Sequence, residues 1–239
     1  MDDSIYQEWL EKCKIGEASV SDVPKEYVTE EMCIACVQYY HGGILGIPSE
    51  YITANLCKMH VELYPFLFPD IPEEFRTEEL CLLAIKENRT NLHRDNIISS
   101  IPEKFNTPEF WLKAVEVNGC CLGELPEEFI TQELCQKAVE NNGFAIIDVP
   151  EKYTTREMYF TAARKGALAH IPNNHKRPAM TSDLYLQAVQ AESMALAYVP
   201  DFFKTVEMCV EAFKKQRTNY IWSLIPKKYR KKVEKIMEE

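Results

Sequence analysis

The chain has 239 residues, 46% hydrophobic and 27% charged, enough to bury a core in one large domain or two small ones. Its 27 Lys and Arg against 37 Asp and Glu give a formal charge of −10, which disfavours general binding to phosphate backbones. No apolar run reaches the roughly 18–20 residues that span a bilayer, and the acidic start MDDSIYQEW lacks a signal core, so the nine cysteines read as reduced cytosolic thiols.

Ser4-Ile-Tyr-Gln7 matches a capping box and predicts a first helix with Ile5, Trp9 and Cys13 on one face. Residues 1–22 are expected as an N-terminal cap. From there the chain repeats, and repeats must be tested before motifs. An apolar residue precedes proline at Pro24, Pro48, Pro72, Pro102, Pro126, Pro150, Pro172, Pro200 and Pro226, nine of the 13 prolines, at spacings of 22 to 30 residues. Three residues later stands an aromatic: Tyr27, Tyr51, Phe75, Phe105, Phe129, Tyr153, Phe203 and Tyr229, with His175 the exception. Two further on comes Thr29, Thr53, Thr77, Thr107, Thr131, Thr155 or Thr205, with Thr181 displaced by an insertion. Threonine there predicts a helix N-cap, its hydroxyl accepting a free backbone N–H. An acid usually holds the second helical position, where its charge favours the positive helix end; Asn55 is the exception.

Leu80, Cys81, Ala84 and Ile85 fall on one helical face, and so do Leu134, Cys135, Ala138 and Val139, and Met208, Cys209, Ala212 and Phe213. Helices are expected to end near Asn118-Gly119 and Asn142-Gly143, with the glycine left-handed. Each unit therefore reads as a helix of about 12 residues plus a shorter helix or turn. Neither piece buries its apolar face alone, but stacked units share a core. The expected fold is all-α: one right-handed α-solenoid of about eight 24-residue repeats over 23–225, with 226–239 a polar C-terminal cap.

Departures from the repeat carry the functional candidates. Cys33-x-x-Cys36 and Cys57-x-x-His60 occupy matching helical places and supply four conceivable zinc ligands. Cys81, Cys135 and Cys209 stand in the same column as Cys33 and Cys57, so core packing is the preferred reading and no metal or cofactor is expected. Tyr39-Tyr40-His41-Gly42 and Tyr64-Pro65-Phe66-Leu67-Phe68 replace the Asn-Asn-Gly of later units. Tyr40, Tyr64, Phe66 and Phe68 are candidate partner-binding anchors if exposed, and terminal-repeat packing if not. The 30-residue unit holds His93-Arg94-Asp95, three letters of the kinase catalytic loop. Ser100 stands where that loop needs asparagine, so a polar insertion is the better reading.

Cys120-Cys121 has no adjacent base. Asn173-Asn-His-Lys-Arg-Pro178 is a locally basic insertion. His93, Arg94, His175, Lys176 and Arg177 join the candidate contacts, because insertions in solenoids often mark a functional face. Glu26, Glu50, Glu74 and Glu128 recur two residues after proline and read first as a solvated face. Lys227 onward is basic with acids interspersed and reads as a solubilising helix. There is no Gly-x-Ser-x-Gly, no His-Glu-x-x-His and no phosphate-binding loop, so no catalytic residue is assigned.

The pattern Asn-Gly-x-Ala-Leu-x-x-[Val/Ile]-Pro followed by a Thr-capped Glu-Leu-Cys helix resembles a family of uncharacterised short helical repeats. That family occurs in intracellular bacterial pathogens, other bacteria and giant viruses. The match is clearest over 101–153, through Asn118-Gly119, Asn142-Gly143 and Val149-Pro150, and a degraded version covers nearly the whole chain. The resemblance implies an α-helical repeat protein and, more weakly, an effector delivered into a host cytosol or an effector's regulator. It carries over no catalytic residues, and fold alone does not decide function.

The preferred expectation is a non-catalytic protein-interaction scaffold in the cytoplasm, acting on a protein partner or modulating a partner enzyme. The alternatives are a metal-binding protein or enzyme with an unrecognised site, and an RNA-binding helical repeat. The sequence leaves the oligomeric state and the partner's identity open.

Overall fold

The computed structural model describes residues 2–39, 43–88, 94–171 and 181–238, with the side chains of 94–96 outside the description. It is all-α, 73% helical, with no strand among the described residues. No helix among them is long and apolar enough to cross a membrane. The chain divides into two compact units, residues 1–117 and 118–239.

The first unit holds α1 (Asp3–Lys14), α2 (Glu30–Tyr39), α3 (Ala54–Leu63), α4 (Glu78–Glu87), α5 (Arg94–Ser99) and α6 (Pro108–Val117). Each of α1 to α4 packs on the next, and α4 packs on α6. The 3-10 helix Pro65–Asp70 and α5 pack together behind α4, forming a second layer. The second unit holds α7 (Gln132–Asn141), α8 (Arg156–Arg164), α9 (Ser182–Ala191), α10 (Val206–Lys215), α11 (Asn219–Leu224) and α12 (Lys227–Glu238). Here α7 to α10 stack in order, and α12 packs on α10. The 3-10 helices Gly119–Glu124, Gly143–Ile147, Leu168–His170 and Ser193–Tyr198 stack beside them in a layer that α11 continues.

Local chemistry explains the repeating element. Pro24, Pro48, Pro72, Pro126, Pro150 and their equivalents accept the N–H of the aromatic three residues on, at 2.8–3.0 Å, closing a tight turn. Proline's fixed φ suits this turn, and no N–H is lost because none is needed there. The chain then reaches threonine. The hydroxyls of Thr29, Thr53, Thr77, Thr107, Thr131, Thr155, Thr181 and Thr205 each accept the N–H three residues later, at 3.2–3.3 Å. Thr218 caps α11 in the same way, a cap the sequence periodicity did not single out. The eight helices capped by Thr29 to Thr205 run nine or ten residues, shorter than the expected 12.

Two local expectations are corrected. The first helix is capped by Asp2, whose carboxylate accepts the Ser4 N–H at 3.0 Å, and not by Ser4. A carboxylate at that place also meets the positive helix end. The helix is thereby entered earlier, and it buries Leu10 and Cys13 while Ile5 is exposed.

Gly119 and Gly143 are not left-handed, unlike Gly16 and Gly166. Asn118 and Asn142 leave the helix in extended conformation and cap the following 3-10 helix with their side chains. The glycines are there for close approach: a Cβ on Gly119 would stand 2.3 Å from the Ala138 carbonyl oxygen. On Gly143 it would stand 3.0 Å from the Ala162 carbonyl oxygen. Ala138 and Ala162 hold the small-residue column of the next helix, so the glycine and the alanine together set how tightly helices stack.

A cation four residues after proline ties the layers. The Arg76 guanidinium donates to the carbonyls of Ile71 at 2.7 Å, Pro69 at 2.8 Å and Ser100 at 2.9 Å. Lys204 donates to Leu224 O at 3.1 Å, and Arg230 to Ile225 O at 3.1 Å. The rest of the core is mostly apolar, with Trp111, Tyr159, Phe68, Met158 and Met208 nearly fully enclosed, and it also buries His60, Asn88 and Ser193.

Candidate functional site

The four conceivable metal ligands, Cys33, Cys36, Cys57 and His60, form no three-donor cluster among the described residues. Cys33 and Cys57 are fully buried in the first helical column beside core side chains. Burial pushes each thiol up to about 11, so neither is a ready thiolate. Cys36 lies against α1, its thiol donating to Ala18 O at 3.6 Å. Burial, followed by its contact with Cys13, pushes that thiol far up as well. His60 is fully enclosed and bonds Leu67 O through Nε2 at 3.1 Å. Its Nδ1 has no hydrogen-bond partner among the described residues and faces Gly43, where an added Cβ would fall 2.6 Å away. Burial holds the imidazole below its ordinary pKa, outweighing the Leu67 hydrogen bond and the Asp70 charge. Among the described residues no three His, Cys, Asp or Glu side chains come together as metal donors.

The aromatic candidates divide. Tyr64 and Phe66 meet edge to face at 6.4 Å between ring centres, with His60 6.2 Å from Tyr64. Phe66 is exposed and Tyr64 half-buried. Phe68 is corrected: it is fully buried, with the Arg76 guanidinium over its ring at 5.7 Å. It stands four residues before proline, the place held by the buried Leu122, Ile146, Leu168 and Leu196 in other repeats. It is therefore a core residue and no partner anchor. Tyr40, His93, His175, Lys176 and Arg177 lie outside the described residues, and Arg94 opens α5 with its side chain outside the description. Cys120 and Cys121 are buried, and the Asn142 amide donates to the Cys120 sulfur at 2.9 Å. Glu26, Glu50, Glu74 and Glu128 are exposed, as a solvated face requires.

The structure adds a surface that the motif search missed. Between α2 and α3 runs a groove of about 340 Å³, walled by Ile34, Tyr51, Leu56 and Met59 and edged by Glu30 and Thr53. Between α3 and α4 runs a second, about 430 Å³, walled by Phe75, Leu80 and Leu83 and edged by Lys58, Thr77 and Glu79. Asn55 lines both, on the ridge between them.

The repeat explains the geometry. Tyr51 and Phe75 belong to the aromatic column and are half-buried, each lining one groove. The Tyr51 hydroxyl donates to Val28 O at 3.1 Å, which fixes the ring against the preceding repeat. Ile34, Met59 and Leu83 lie on the outer helix face and are half-buried. In α7 the corresponding places hold Gln136 and Lys137, which are polar. The available signals were Asn55 in a column of acids, and Met59 and Leu83 at a helical place that is polar in α6 to α10, as at Lys113, Lys137, Thr161, Gln187 and Glu211.

A family model described as a domain of unknown function (DUF4116) matches residues 107–154. Those 48 residues contain α6, α7 and both close-approach glycines. No curated protein and no solved structure matches the chain.

Proposed function

We propose that this chain is a helical-repeat recognition module that acts by holding a protein partner, with no chemistry of its own. The proline period in the sequence supports about eight repeats continued as one right-handed solenoid. The observation that carries the functional reading is the pair of apolar-walled grooves on the outer face of α2, α3 and α4. Concave, mostly apolar surface with a few placed polar groups is what binding sites are made of. The exposed Phe66 beside Tyr64 adds an aromatic anchor of the kind that dominates protein interfaces. A cytoplasmic scaffold, a modulator of a partner enzyme and a delivered effector all work by such binding. The metal and enzyme reading is supported less, because no three of its four proposed donors come together among the described residues. RNA recognition is supported less because the charge of −10 opposes it.

Affinity capture from a lysate of the source cell, read by mass spectrometry with and without nuclease, tests the reading. A stoichiometric protein that survives nuclease is expected. Loss of everything with nuclease, or metal bound at one equivalent in the purified chain, would favour one of the rivals.

A further inference from the structure

Resting on that recognition reading, we propose that the two grooves flanking α3 bind a polyproline-II segment of the partner, with apolar side chains three residues apart and a basic residue at each flank.

The spacing selects the conformation. The grooves repeat from one helix gap to the next, and packed helices lie about 8–10 Å apart. A polyproline-II chain has three residues per turn and rises 3.1 Å per residue, so positions i and i+3 share a face about 9.3 Å apart. One side chain then enters each groove. A β-strand covers a similar distance in three residues but points those two side chains to opposite faces. An α-helix brings positions i and i+7 to a similar spacing, about 10.5 Å, but its interior carbonyls are bonded within the helix and leave none for a side-chain amide at the crossing.

The chemistry of the walls agrees. Tyr51 lines one groove and Phe75 the other, and aromatic-lined grooves are the surfaces that take polyproline-II ligands. Between them stands Asn55, exposed and with no hydrogen-bond partner for its side chain among the described residues. A polyproline-II backbone has no internal hydrogen bonds, so its carbonyls are open to the Asn55 amide as it crosses α3. The acid usual at this helical position has no N–H to donate.

Charge fixes the flanks. Glu30 edges the α2–α3 groove and Glu79 the α3–α4 groove; both are exposed, and neither has an ion-pair partner among the described residues. Lys58, the cation on the rim, lies 3.9 Å from Glu62. Glu30 and Glu79 lie on helices two steps apart, about 16–20 Å. A frame of basic, apolar, any, any, apolar, basic spans about 16 Å in polyproline II.

The test is fluorescence anisotropy with the full chain and a labelled decapeptide, Pro-Pro-Arg-Leu-Pro-Pro-Leu-Arg-Pro-Pro. Saturable one-to-one binding that weakens with salt is expected. Asn55→Ala should weaken it about tenfold, as should the pair Glu30→Gln with Glu79→Gln, which should also flatten the salt dependence. Glu133→Ala, at the equivalent position of α7, should change nothing. Replacing both peptide leucines with serine should abolish binding. Circular dichroism checks that each variant keeps its helix content.

No saturable binding at about 1 mM, tighter binding of an amphipathic helical peptide, or indifference to Asn55→Ala and the charge pair would overturn the assignment. The recognition reading is judged separately. If a captured partner is held at full stoichiometry by the chain with Asn55→Ala, Glu30→Gln and Glu79→Gln combined, the groove assignment falls and that reading stands.

Discussion

Adding one methyl group to Gly119 tests how the repeats are held together. A Cβ there would lie 2.3 Å from the Ala138 carbonyl oxygen and 3.1 Å from both the Ala138 carbonyl carbon and the Asn142 nitrogen. The first distance is about 1 Å short of ordinary contact, and the obstacle is backbone of α7, which cannot rotate away. Overpacking of this kind costs about 1–3 kcal/mol. Displacing the segment also strains the bond from the Gly119 N–H to Asn141 Oδ1, now 2.8 Å, worth about 0.5–1.5 kcal/mol. Against this, removing glycine's freedom in the unfolded chain returns about 0.4–1 kcal/mol. Gly119→Ala should therefore lose about 2–3 kcal/mol, or roughly 4–12 °C in Tm. Gly143→Ala, whose nearest backbone obstacle is 3.0 Å away, should lose less. Gly119→Asn separates the two roles a glycine can play, because a left-handed helix end tolerates asparagine and a crowded contact does not. Urea and thermal unfolding followed at 222 nm measure all three. A Gly119→Asn chain as stable as the parent would refute the close-approach reasoning.

Arg76→Met strands three carbonyls that now share one guanidinium, and should cost about 2–4 kcal/mol in urea unfolding, with Arg76→Lys intermediate. His60 is buried with its pKa depressed, so the unfolded chain binds its proton more readily. Its contribution is present above the unfolded pKa of about 6.5 and is lost as pH falls below that, so His60→Leu should flatten the decline in Tm between pH 7 and pH 5. Cys33, Cys57, Cys135 and Cys209, pushed up to about 11 by burial, and Cys81, pushed to about 12, should resist a thiol-specific aromatic disulfide reagent at pH 8. All should react once guanidinium unfolds the chain; rapid native labelling of any of the five, located by peptide mapping, would contradict their burial.

What the sequence made legible was short-range. A threonine three residues before an apolar N–H needs only its own turn, and all eight repeat caps form where the periodicity put them. The buried helical columns follow from 3.6-residue periodicity, and Leu134, Cys135, Ala138 and Val139 are enclosed as that period requires. Long-range matters were hidden. The reason for Gly119 lies in a carbonyl 19 residues away, which no local pattern displays. Phe68 looked like a free aromatic because proline at Pro65 and Pro69 obscured its alignment with the leucine column. Thr218 was missed because α11 stands where other repeats place a 3-10 helix, off the proline phase. The grooves were invisible because their walls come from three repeats. Asn55 was visible as an exception but had no assigned meaning until Tyr51 and Phe75 stood on either side of it.

Hydrogen–deuterium exchange of the chain with its captured protein partner tests the central claim, recognition through the grooves flanking α3, most directly. The account predicts slowed exchange over 30–34, 51–59 and 75–83, the stretches that form the grooves. Unchanged exchange throughout at saturating partner, or protection confined to 118–238, would contradict it.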